Sequence, residues 1–386
     1  MLSAEDNYLL TNTDPGSPMG ELFRRFWLPV ALASDLLGPD CVPVKLKVLN
    51  EDLITFRDTK GRPGLVDAYC PHRGAPMFFA RNEESGLRCV YHGWKFDVGG
   101  ACVDLPNTPE GHTYRRKVRI KAYPCVEAGD LIWAYMGPRH KQPPVPRFEW
   151  LDLQSTHRYV AKFRLECNYL QAMEGDYDPS HAAFLHMTTL EKRYSEEMDV
   201  GELNVNTVAG GASFINPETW GTLEDNEAGV LCTSASRRPD GSYYAGAGPL
   251  WLMPVFCAGA VANTGLHTLN IRIPIDNTSL MFFRLRWSRE PLSARDLHEY
   301  RAGAYYYPAM IAGTDTPREN LSNDYQVDRL AQKTYSFSGI KSFPAQDAAV
   351  VENQTGPIAD RRREHLVASD AHIIHIRRRL LRTVKA

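Results

Sequence analysis

The sequence predicts an α+β protein in which a small antiparallel β domain precedes a larger domain of helices and an antiparallel sheet. Between residues 42 and 135, short β-rich runs alternate with turn signals, a spacing typical of a small all-β domain. The proline-rich stretch at 137–146 indicates a linker. Beyond residue 149, strand-like segments stand between helical ones, which favours an α+β arrangement for the second domain.

Local patterns predict the individual elements. A short helix is expected at 20–27, entered after Pro15-Gly16-Ser17-Pro18, and another helix from about Tyr169. From about Ser293 onward the chain is expected to be mainly helical. Strands are predicted from β-branched and aromatic runs at 42–49, 53–56, 131–135, 212–215, 229–236, 269–273 and 280–287.

Composition limits the functional classes. At 386 residues the chain is long enough for two or three domains. The formal net charge of −2 favours no nucleic-acid partner. No apolar run approaches the ~20 residues that span a bilayer, and the first residues lack the pattern of a signal peptide. We therefore expect a cytoplasmic protein without a membrane partner.

The most specific motif is a pair of short metal-ligand arms. Cys70 and His72 form C-x-H, and Cys89 and His92 form C-x-x-H. Two thiolates on one iron and two imidazoles on the other are the ligands of a Rieske [2Fe–2S] cluster. The alternative is a structural zinc site, but zinc fingers usually pair cysteine with cysteine and histidine with histidine in each arm. Here each arm carries one of each, which favours the cluster.

A second metal site is predicted further along the chain. Asp178, His181 and His186 are spaced so that they share or flank one helical face, although Pro179 breaks or kinks the helix there. Two imidazoles and one carboxylate form the facial triad of a mononuclear Fe(II) oxygenase. Such histidines alone are more often core or surface residues, but a one-electron carrier in the same chain favours an O₂-activating iron. Spacing alone leaves these carboxylates open as the ligand from the C-terminal region: Asp347, Glu352, Asp360 and Asp370.

Several segments together resemble a known family. Residues 89–97 (CVYHGWKFD), 168–186, 346–350 and 356–358 resemble the oxygenase (α) component of Rieske non-haem iron aromatic ring-hydroxylating oxygenases, in the phthalate 4,5-dioxygenase-like branch. The resemblance implies a Rieske β domain plus a catalytic domain of the helix-grip type, assembled as a homotrimer or stacked trimers. It divides the chain into an N-terminal segment at 1–40 that packs on the catalytic domain, a Rieske domain at 41–145 and a catalytic domain at 146–386.

The same resemblance implies residue roles. Asp347 is expected to be the third iron ligand, beside His181 and His186. Asp178 is then not a ligand, and is expected to link a cluster histidine of one subunit to an iron histidine of its neighbour. Glu174 and Asn168 are expected at the active site, although packing and capping remain alternatives.

The resulting hypothesis is a terminal oxygenase that uses O₂ and electrons from NAD(P)H. The chain lacks a dinucleotide fingerprint and a second cysteine cluster, so a separate reductase is expected as a partner. The family branch favours cis-dihydroxylation of an aromatic carboxylate, with Arg237 and Arg238 as candidate carboxylate ligands. Where relatives often carry an arginine, this chain has the apolar run 245–250, which argues for a roomier pocket. The alternatives are a monooxygenase or an O- or N-demethylase of the same architecture, and a Rieske electron-transfer protein.

Overall fold

The computed structural model describes residues 2–107, 109, 111–178, 181, 185–186, 219–237, 241–259, 265–303, 306–334 and 336–386. Contacts between residues divide the chain into two units, Thr13–Ser155 and the combination of Met1–Asn12 with Thr156–Ala386. The division differs from the predicted boundaries after residues 40 and 145. Residues 13–40 belong to the first unit because a strand within them pairs with the strand predicted at 131–135.

The elements have the following bounds. The helices are α1 (Ala4–Thr11), α2 (Pro18–Arg24), α3 (Gly111–Tyr114), α4 (Tyr169–Glu174), α5 (Ala294–Ala302), α6 (Arg329–Thr334), α7 (Phe343–Val351) and α8 (Ala371–Lys385). The strands are β1 (Trp27–Leu32), β2 (Val44–Val48), β3 (Glu51–Arg57), β4 (Pro63–Asp67), β5 (Arg81–Glu83), β6 (Gly86–Arg88), β7 (Lys95–Phe96), β8 (Cys102–Asp104), β9 (Ala122–Tyr123), β10 (Cys125–Ala128), β11 (Leu131–Tyr135), β12 (Arg158–Leu165), β13 (Thr219–Asp225), β14 (Gly229–Arg237), β15 (Tyr243–Leu252), β16 (Phe256–Ala258), β17 (His267–Pro274) and β18 (Leu280–Trp287).

The first unit is built from three small antiparallel sheets. Their strand orders are β1-β11-β10, β2-β3-β4-β9 and β5-β6-β7-β8. All five residues of β11 are buried, since this strand is the centre of its sheet. The helix predicted at 20–27 lies slightly earlier, as α2, because the Ser17 hydroxyl accepts a hydrogen bond from the Gly20 N–H at 3.1 Å and Pro18 occupies the first turn. The prediction of a small antiparallel β domain in this part of the chain is confirmed.

The described residues of the second unit form a seven-stranded antiparallel sheet. Its order is β12-β18-β17-β16-β15-β14-β13, so the first strand of the unit pairs with the last. The strands predicted at 229–236, 269–273 and 280–287 are confirmed as β14, β17 and β18, whereas the one predicted at 212–215 lies outside the described residues. The α+β prediction for this unit is confirmed.

Helices of the second unit pack on the sheet and on one another. Helix α4 contacts β17 and also α7, and α1 contacts both α4 and α8. Asn168 begins α4, where its side-chain oxygen accepts a hydrogen bond from the Leu170 N–H at 3.1 Å. The packing brings α7, from the C-terminal region, beside the end of α4. Among the described helices, none is long and apolar enough to cross a bilayer.

Candidate active site and metal centres

Two loops of the first unit carry the predicted cluster ligands and share one hydrogen-bond pattern. In each loop the cysteine N–H donates across the loop, at 2.8 Å in both cases. The glycine N–H then donates back to the cysteine carbonyl, from Gly74 to Cys70 at 2.9 Å and from Gly93 to Cys89 at 3.0 Å. Both glycines have positive φ, +68° and +78°, which other residues adopt only at a cost. The glycine that ends each motif therefore shapes the loop that presents the ligands.

The four side chains converge with thiols inside and imidazoles outside. Cys70 and Cys89 are each 2% exposed, whereas His72 and His92 are partly exposed, with ring centroids 4.5 Å apart. Burial, with a smaller contribution from the neighbouring Cys89, raises the pKa of Cys70 to about 11. The thiol is therefore protonated at neutral pH unless a cation binds it. This donor set of two thiols and two imidazoles fits a Rieske cluster.

Neighbouring side chains hold the loops in place. Trp94 stacks on the His72 ring with centroids 4.3 Å apart, and its indole N–H donates to the Asn107 side chain at 2.8 Å. The Arg73 guanidinium lies 5.5 Å from the centre of the Tyr91 ring. These contacts give the three residues Arg73, Tyr91 and Trp94 packing and hydrogen-bonding roles around the ligands.

The second predicted site is assembled in the second unit from two distant segments. Nitrogen or oxygen atoms of His181, His186 and Asp347 all lie within 4.8 Å of one another. Oδ1 of Asp347 is 3.2 Å from Nε2 of His186 and 3.6 Å from Nε2 of His181. Two imidazoles and a carboxylate in this arrangement match the ligand set of a mononuclear non-haem iron.

Hydrogen bonds at the other ring nitrogens select the tautomers. Nδ1 of His181 lies 2.6 Å from the Asp178 carbonyl oxygen, and Nδ1 of His186 lies 2.6 Å from Oε1 of Gln346. The Gln346 amide nitrogen donates to the Ile340 carbonyl at 2.7 Å, which fixes the orientation of the amide. With Nδ1 protonated in both rings, both Nε2 lone pairs are available to a metal.

One buried atom supports the fit to a metal. Nε2 of His186 is buried and makes no hydrogen bond within the described part of the chain. A buried polar atom without a partner is costly, and a bound cation removes that cost. Two adjacent residues of α7 contact the two nitrogens of the His186 ring. Gln346 contacts Nδ1, and Asp347 contacts Nε2.

Asp347 is ionised at neutral pH. Burial raises the pKa of its carboxyl group, but the two histidines and the Arg284 guanidinium outweigh that effect and hold the pKa at about 2. The other carboxylates that spacing left open make different contacts. The Glu352 carboxylate accepts from the Tyr325 hydroxyl and the Glu166 N–H, Asp360 pairs with Arg362, and Asp370 accepts from the Val367 N–H.

Comparison with known proteins identifies two families of domain along the chain. Residues 26–124 match the family model of the Rieske [2Fe-2S] domain, and residues 134–202 and 250–386 match the model described as LigXa C-terminal domain like. The whole chain is 35% identical to the phthalate 4,5-dioxygenase oxygenase subunit of Pseudomonas putida, of which it covers 87%. The chain belongs to the Rieske non-haem iron oxygenases. The zinc alternative for Cys70, His72, Cys89 and His92 is not supported.

Two further likenesses place this Rieske oxygenase among its relatives. All of the chain aligns, at 31% identity, with the 5,5'-dehydrodivanillate O-demethylase oxygenase subunit of Sphingobium sp., of which it covers 81%. The crystal structure of dicamba monooxygenase bound to dicamba has a TM-score of 0.62 to this chain at 17% identity, covering 94% of this chain and 97% of that one. The structural likeness is one of fold.

A cavity of about 410 Å³ adjoins the candidate iron site of the Rieske oxygenase. His181 and Asp347 line it, and Asp347 keeps 33% of its side chain exposed. Phe163, Leu165 and Phe282 are among the apolar residues of its wall. A largely apolar cavity beside a metal site is suited to a small aromatic molecule.

The two other predicted active-site residues make structural contacts. The Asn168 amide donates to the Thr11 carbonyl at 2.9 Å and to the Asn277 carbonyl at 2.8 Å, and it is not among the described residues that line the cavity. Glu174 does line the cavity, but both of its oxygens accept hydrogen bonds from Arg361 and Arg377 at 2.6–3.1 Å. A catalytic role for either residue stays a prediction.

Burial raises the pKa of Glu174, but its two arginine partners outweigh burial and the pKa is lowered. Glu174 is therefore a carboxylate at neutral pH, in a buried ion-pair cluster that ties α4 to α8. The Arg377 guanidinium also pairs with Glu364, at 2.6 Å. This cluster joins the segment before the iron histidines to the C-terminal helix.

Of the two arginines predicted to bind substrate, one lies within the described residues. Arg237 is the last residue of β14, where its backbone pairs with Tyr243, and Arg238 lies outside the described residues. Their role stays a prediction. Sequence reasoning missed Arg284, a buried arginine in the cavity wall. The available signal was the alternation of arginines in β18, at positions 284 and 286.

Proposed function

We propose that this Rieske oxygenase is the terminal component that cis-dihydroxylates an aromatic carboxylate. The observation that carries the proposal is the convergence of His181, His186 and Asp347 beside an apolar cavity with a buried guanidinium in its wall. The relative from Pseudomonas putida supports the substrate class, since its name gives phthalate as its substrate.

We assign the [2Fe–2S] cluster to Cys70, His72, Cys89 and His92, and ferrous iron to His181, His186 and Asp347. When bound, the cluster supplies electrons one at a time and the ferrous ion supplies a site for O₂. The residues around the iron ligands have separate tasks. Gln346 and the Asp178 carbonyl hold the two histidines in the ligating tautomer. The apolar wall excludes water from the reacting ring.

A second candidate is a monooxygenase or O-demethylase of the same architecture. The relative from Sphingobium, an O-demethylase oxygenase subunit of similar coverage, favours it specifically. Both reactions use the same metal ligands, so product mass distinguishes them. An electron-transfer protein without an oxygenase site is disfavoured by the triad of His181, His186 and Asp347.

The test is the product formed from ¹⁸O₂. Full-length protein, prepared anaerobically with both metals, is supplied with NADH, a surrogate reductase, and a panel of aromatic acids and aryl methyl ethers. Two labelled oxygens in one product, with two electrons taken from one NADH, support the dioxygenase. One labelled oxygen, or release of formaldehyde, supports the second candidate. Absence of NADH- and substrate-dependent O₂ uptake across the panel, with both metals present, contradicts the proposed substrate class.

We further propose that the protein works as a homotrimer or stacked trimers in the cytoplasm, with a separate NAD(P)H-dependent reductase. None of the eight cysteines, all of which lie within the described residues, forms a disulfide, which suits a reducing compartment. In such a trimer Asp178 would link the cluster of one subunit to the iron of the next. Half-buried, Asp178 accepts a hydrogen bond from the His181 N–H at 3.3 Å, so it is attached to an iron ligand.

Asp178→Asn tests that link. The variant should keep both metals and the trimer but lose product formation, while its cluster is still reduced by the reductase. After reduction, rapid-mixing spectroscopy should detect slow reoxidation of the cluster in the presence of O₂ and substrate. Loss of iron from the variant would contradict the link and make Asp178 a residue that holds the metal site together.

A further inference from the structure

Three buried arginines lie on the sheet of the second unit. Arg272 is on β17, and Arg284 and Arg286 are on β18, all between 4% and 5% exposed. Phe282, Arg284 and Arg286 alternate along β18 and therefore share one face of the strand. Arg272 is paired with Phe282 across the two strands, so it belongs to the same region.

The three guanidinium groups differ in how their charge is balanced. Arg272 forms a two-pronged ion pair with Asp176. The Arg286 group packs 4.0 Å from the centre of the Tyr306 ring and donates to the Tyr300 hydroxyl at 2.9 Å. Of the three, Arg272 is the one with a carboxylate partner within the described part of the chain.

Arg284 is held by neutral acceptors. Its Nε donates to the Asn270 side-chain oxygen at 3.0 Å, and its Nη1 donates to the Tyr306 carbonyl at 2.6 Å. Within the described residues, its Nη2 makes no hydrogen bond and no carboxylate oxygen lies within 4 Å of the group. The guanidinium is thus held in a fixed orientation, without an ion-paired carboxylate and with one nitrogen that makes no hydrogen bond within the described residues. A buried charge in this state is costly, and an anion that enters the cavity removes the cost.

The Arg284 guanidinium also lies where it can contact a substrate in the cavity. Arg284 lines the same cavity as His181 and Asp347. The Phe282 ring lies beneath it, with the ring centre 4.8 Å from the guanidinium carbon. A planar guanidinium next to an aromatic face is suited to a carboxylate attached to an aromatic ring.

The number of buried arginines without an ion-pair partner in the cavity wall indicates how many carboxylates the substrate carries. Arg272 is neutralised by Asp176, and Arg377, another buried arginine of the cavity wall, is paired with Glu174 and Glu364. The described wall therefore offers one buried unpaired cation. One such cation matches one carboxylate, and a second carboxylate would be buried without a partner.

We propose that Arg284 binds the carboxylate of the substrate through Nη2 and thereby selects aromatic monocarboxylates over dicarboxylates; this rests on the function proposed above. Recognition by Arg284 orients the ring in the cavity that His181 and Asp347 also line. Arg284 is a binding residue, and its guanidinium takes no part in the reaction with O₂.

The test compares a charged ligand with its neutral counterpart. Affinities for 3-methoxybenzoate, 3-methoxybenzamide and phthalate are measured by anaerobic titration calorimetry on the full-length, iron-loaded protein. Arg284→Gln should weaken binding of 3-methoxybenzoate about 10- to 100-fold and change binding of the amide less than about threefold. Wild-type protein should bind phthalate more weakly than 3-methoxybenzoate.

Two matched variants separate recognition from folding. Arg284→Lys keeps the charge and should recover part of the affinity for 3-methoxybenzoate. Arg286→Gln removes an equally buried guanidinium two residues away and should leave all three affinities unchanged. Iron content and unfolding midpoint are measured for each variant.

Three results would overturn the inference. They are unchanged affinity for 3-methoxybenzoate in Arg284→Gln, equal loss of the acid and the amide, and tighter binding of phthalate than of the monocarboxylate. If the wild type oxidises 3-methoxybenzoate and Arg284→Gln binds it with wild-type affinity, carboxylate binding by Arg284 is refuted and the proposed function is kept. If the wild type, with both metals, neither binds nor oxidises aromatic acids, the proposed substrate class fails with it.

Discussion

We expect Gln346→Leu to weaken ferrous-ion binding about 10- to 100-fold while the Rieske cluster stays intact. Gln346 accepts a hydrogen bond from Nδ1 of His186 at 2.6 Å, and both residues are 6% exposed. Leucine fills the volume but offers no acceptor. The His186 ring then either buries an unpaired N–H or moves the proton to Nε2, where it blocks the metal.

The magnitude follows from the geometry. A neutral hydrogen bond contributes about 0.5–1.5 kcal/mol, and a buried donor left unpaired costs about 1–3 kcal/mol. A 10- to 100-fold loss of affinity corresponds to about 1.4–2.8 kcal/mol, within that range. Gln346→Glu keeps an acceptor for Nδ1 of His186 but replaces the amide donor to the Ile340 carbonyl, 2.7 Å away, with a carboxylate oxygen. We therefore expect Gln346→Glu to bind iron more tightly than Gln346→Leu but no more tightly than the wild type.

The assay is dialysis of the full-length protein against a competing ferrous chelator under anaerobic conditions. Iron bound per cluster is measured, with the visible absorbance of the cluster as the internal standard. Gln171→Leu is the matched control, since Gln171 is also buried but bonds backbone atoms only, including the Val351 carbonyl at 2.6 Å. Wild-type iron affinity in Gln346→Leu, or the same loss in Gln171→Leu, would refute the reasoning.

Three other outcomes are expected. Gly93→Ala should lose more cluster absorbance than Gly74→Ala. Both glycines have positive φ, +78° and +68°, so alanine is strained at either position, but the Cβ at position 93 would also lie 2.7 Å from a proline ring, whereas the one at position 74 meets no atom within 4 Å. Glu174→Gln should destabilise the protein by about 3–5 kcal/mol at pH 7 in urea unfolding. The pKa of Glu174 is lowered in the folded protein. The stability difference between wild type and Glu174→Gln is therefore fully present above the pKa of Glu174 in the unfolded chain, and it disappears as the pH falls through the pKa in the folded protein. A stability difference that does not change with pH would count against the ion-pair explanation. Asp347→Ala should reduce bound iron from about three to about two per chain by metal analysis, whereas Glu352→Gln should not.

The candidate cluster ligands could be predicted from sequence because their spacing is local. Cys70 and His72 lie two positions apart in one loop, and Cys89 and His92 lie three apart in another, so spacing alone brings each pair together. Short hydrogen bonds within each loop then complete the geometry, without contributions from distant residues to the motif itself.

The carboxylate beside the iron histidines was harder to predict. Asp347 is far from His186 in the sequence, since its neighbour Gln346 is 160 positions from His186. Spacing alone did not distinguish Asp347 from three other carboxylates of the C-terminal region. A resemblance singled out Asp347, and the packing of α7 against α4 brings it within 3.2 Å of Nε2 of His186. Helical periodicity carries information over a few residues, whereas this contact depends on how two helices pack.

The sequence by itself determined the order of the two units, the strands with clear alternation and the candidate Cys and His ligands, because each depends on neighbours along the chain. Only the tertiary structure decided the tautomers of His181 and His186, the ion pairs of Glu174 and the role open to Arg284. The alternation of arginines in β18 predicts that they share one face of the strand. It does not predict whether that face is buried or exposed, because the sequence pattern is the same in both cases. Burial and an unpaired charge arise only when the sheet meets its helices, and those two properties make Arg284 a candidate for binding substrate.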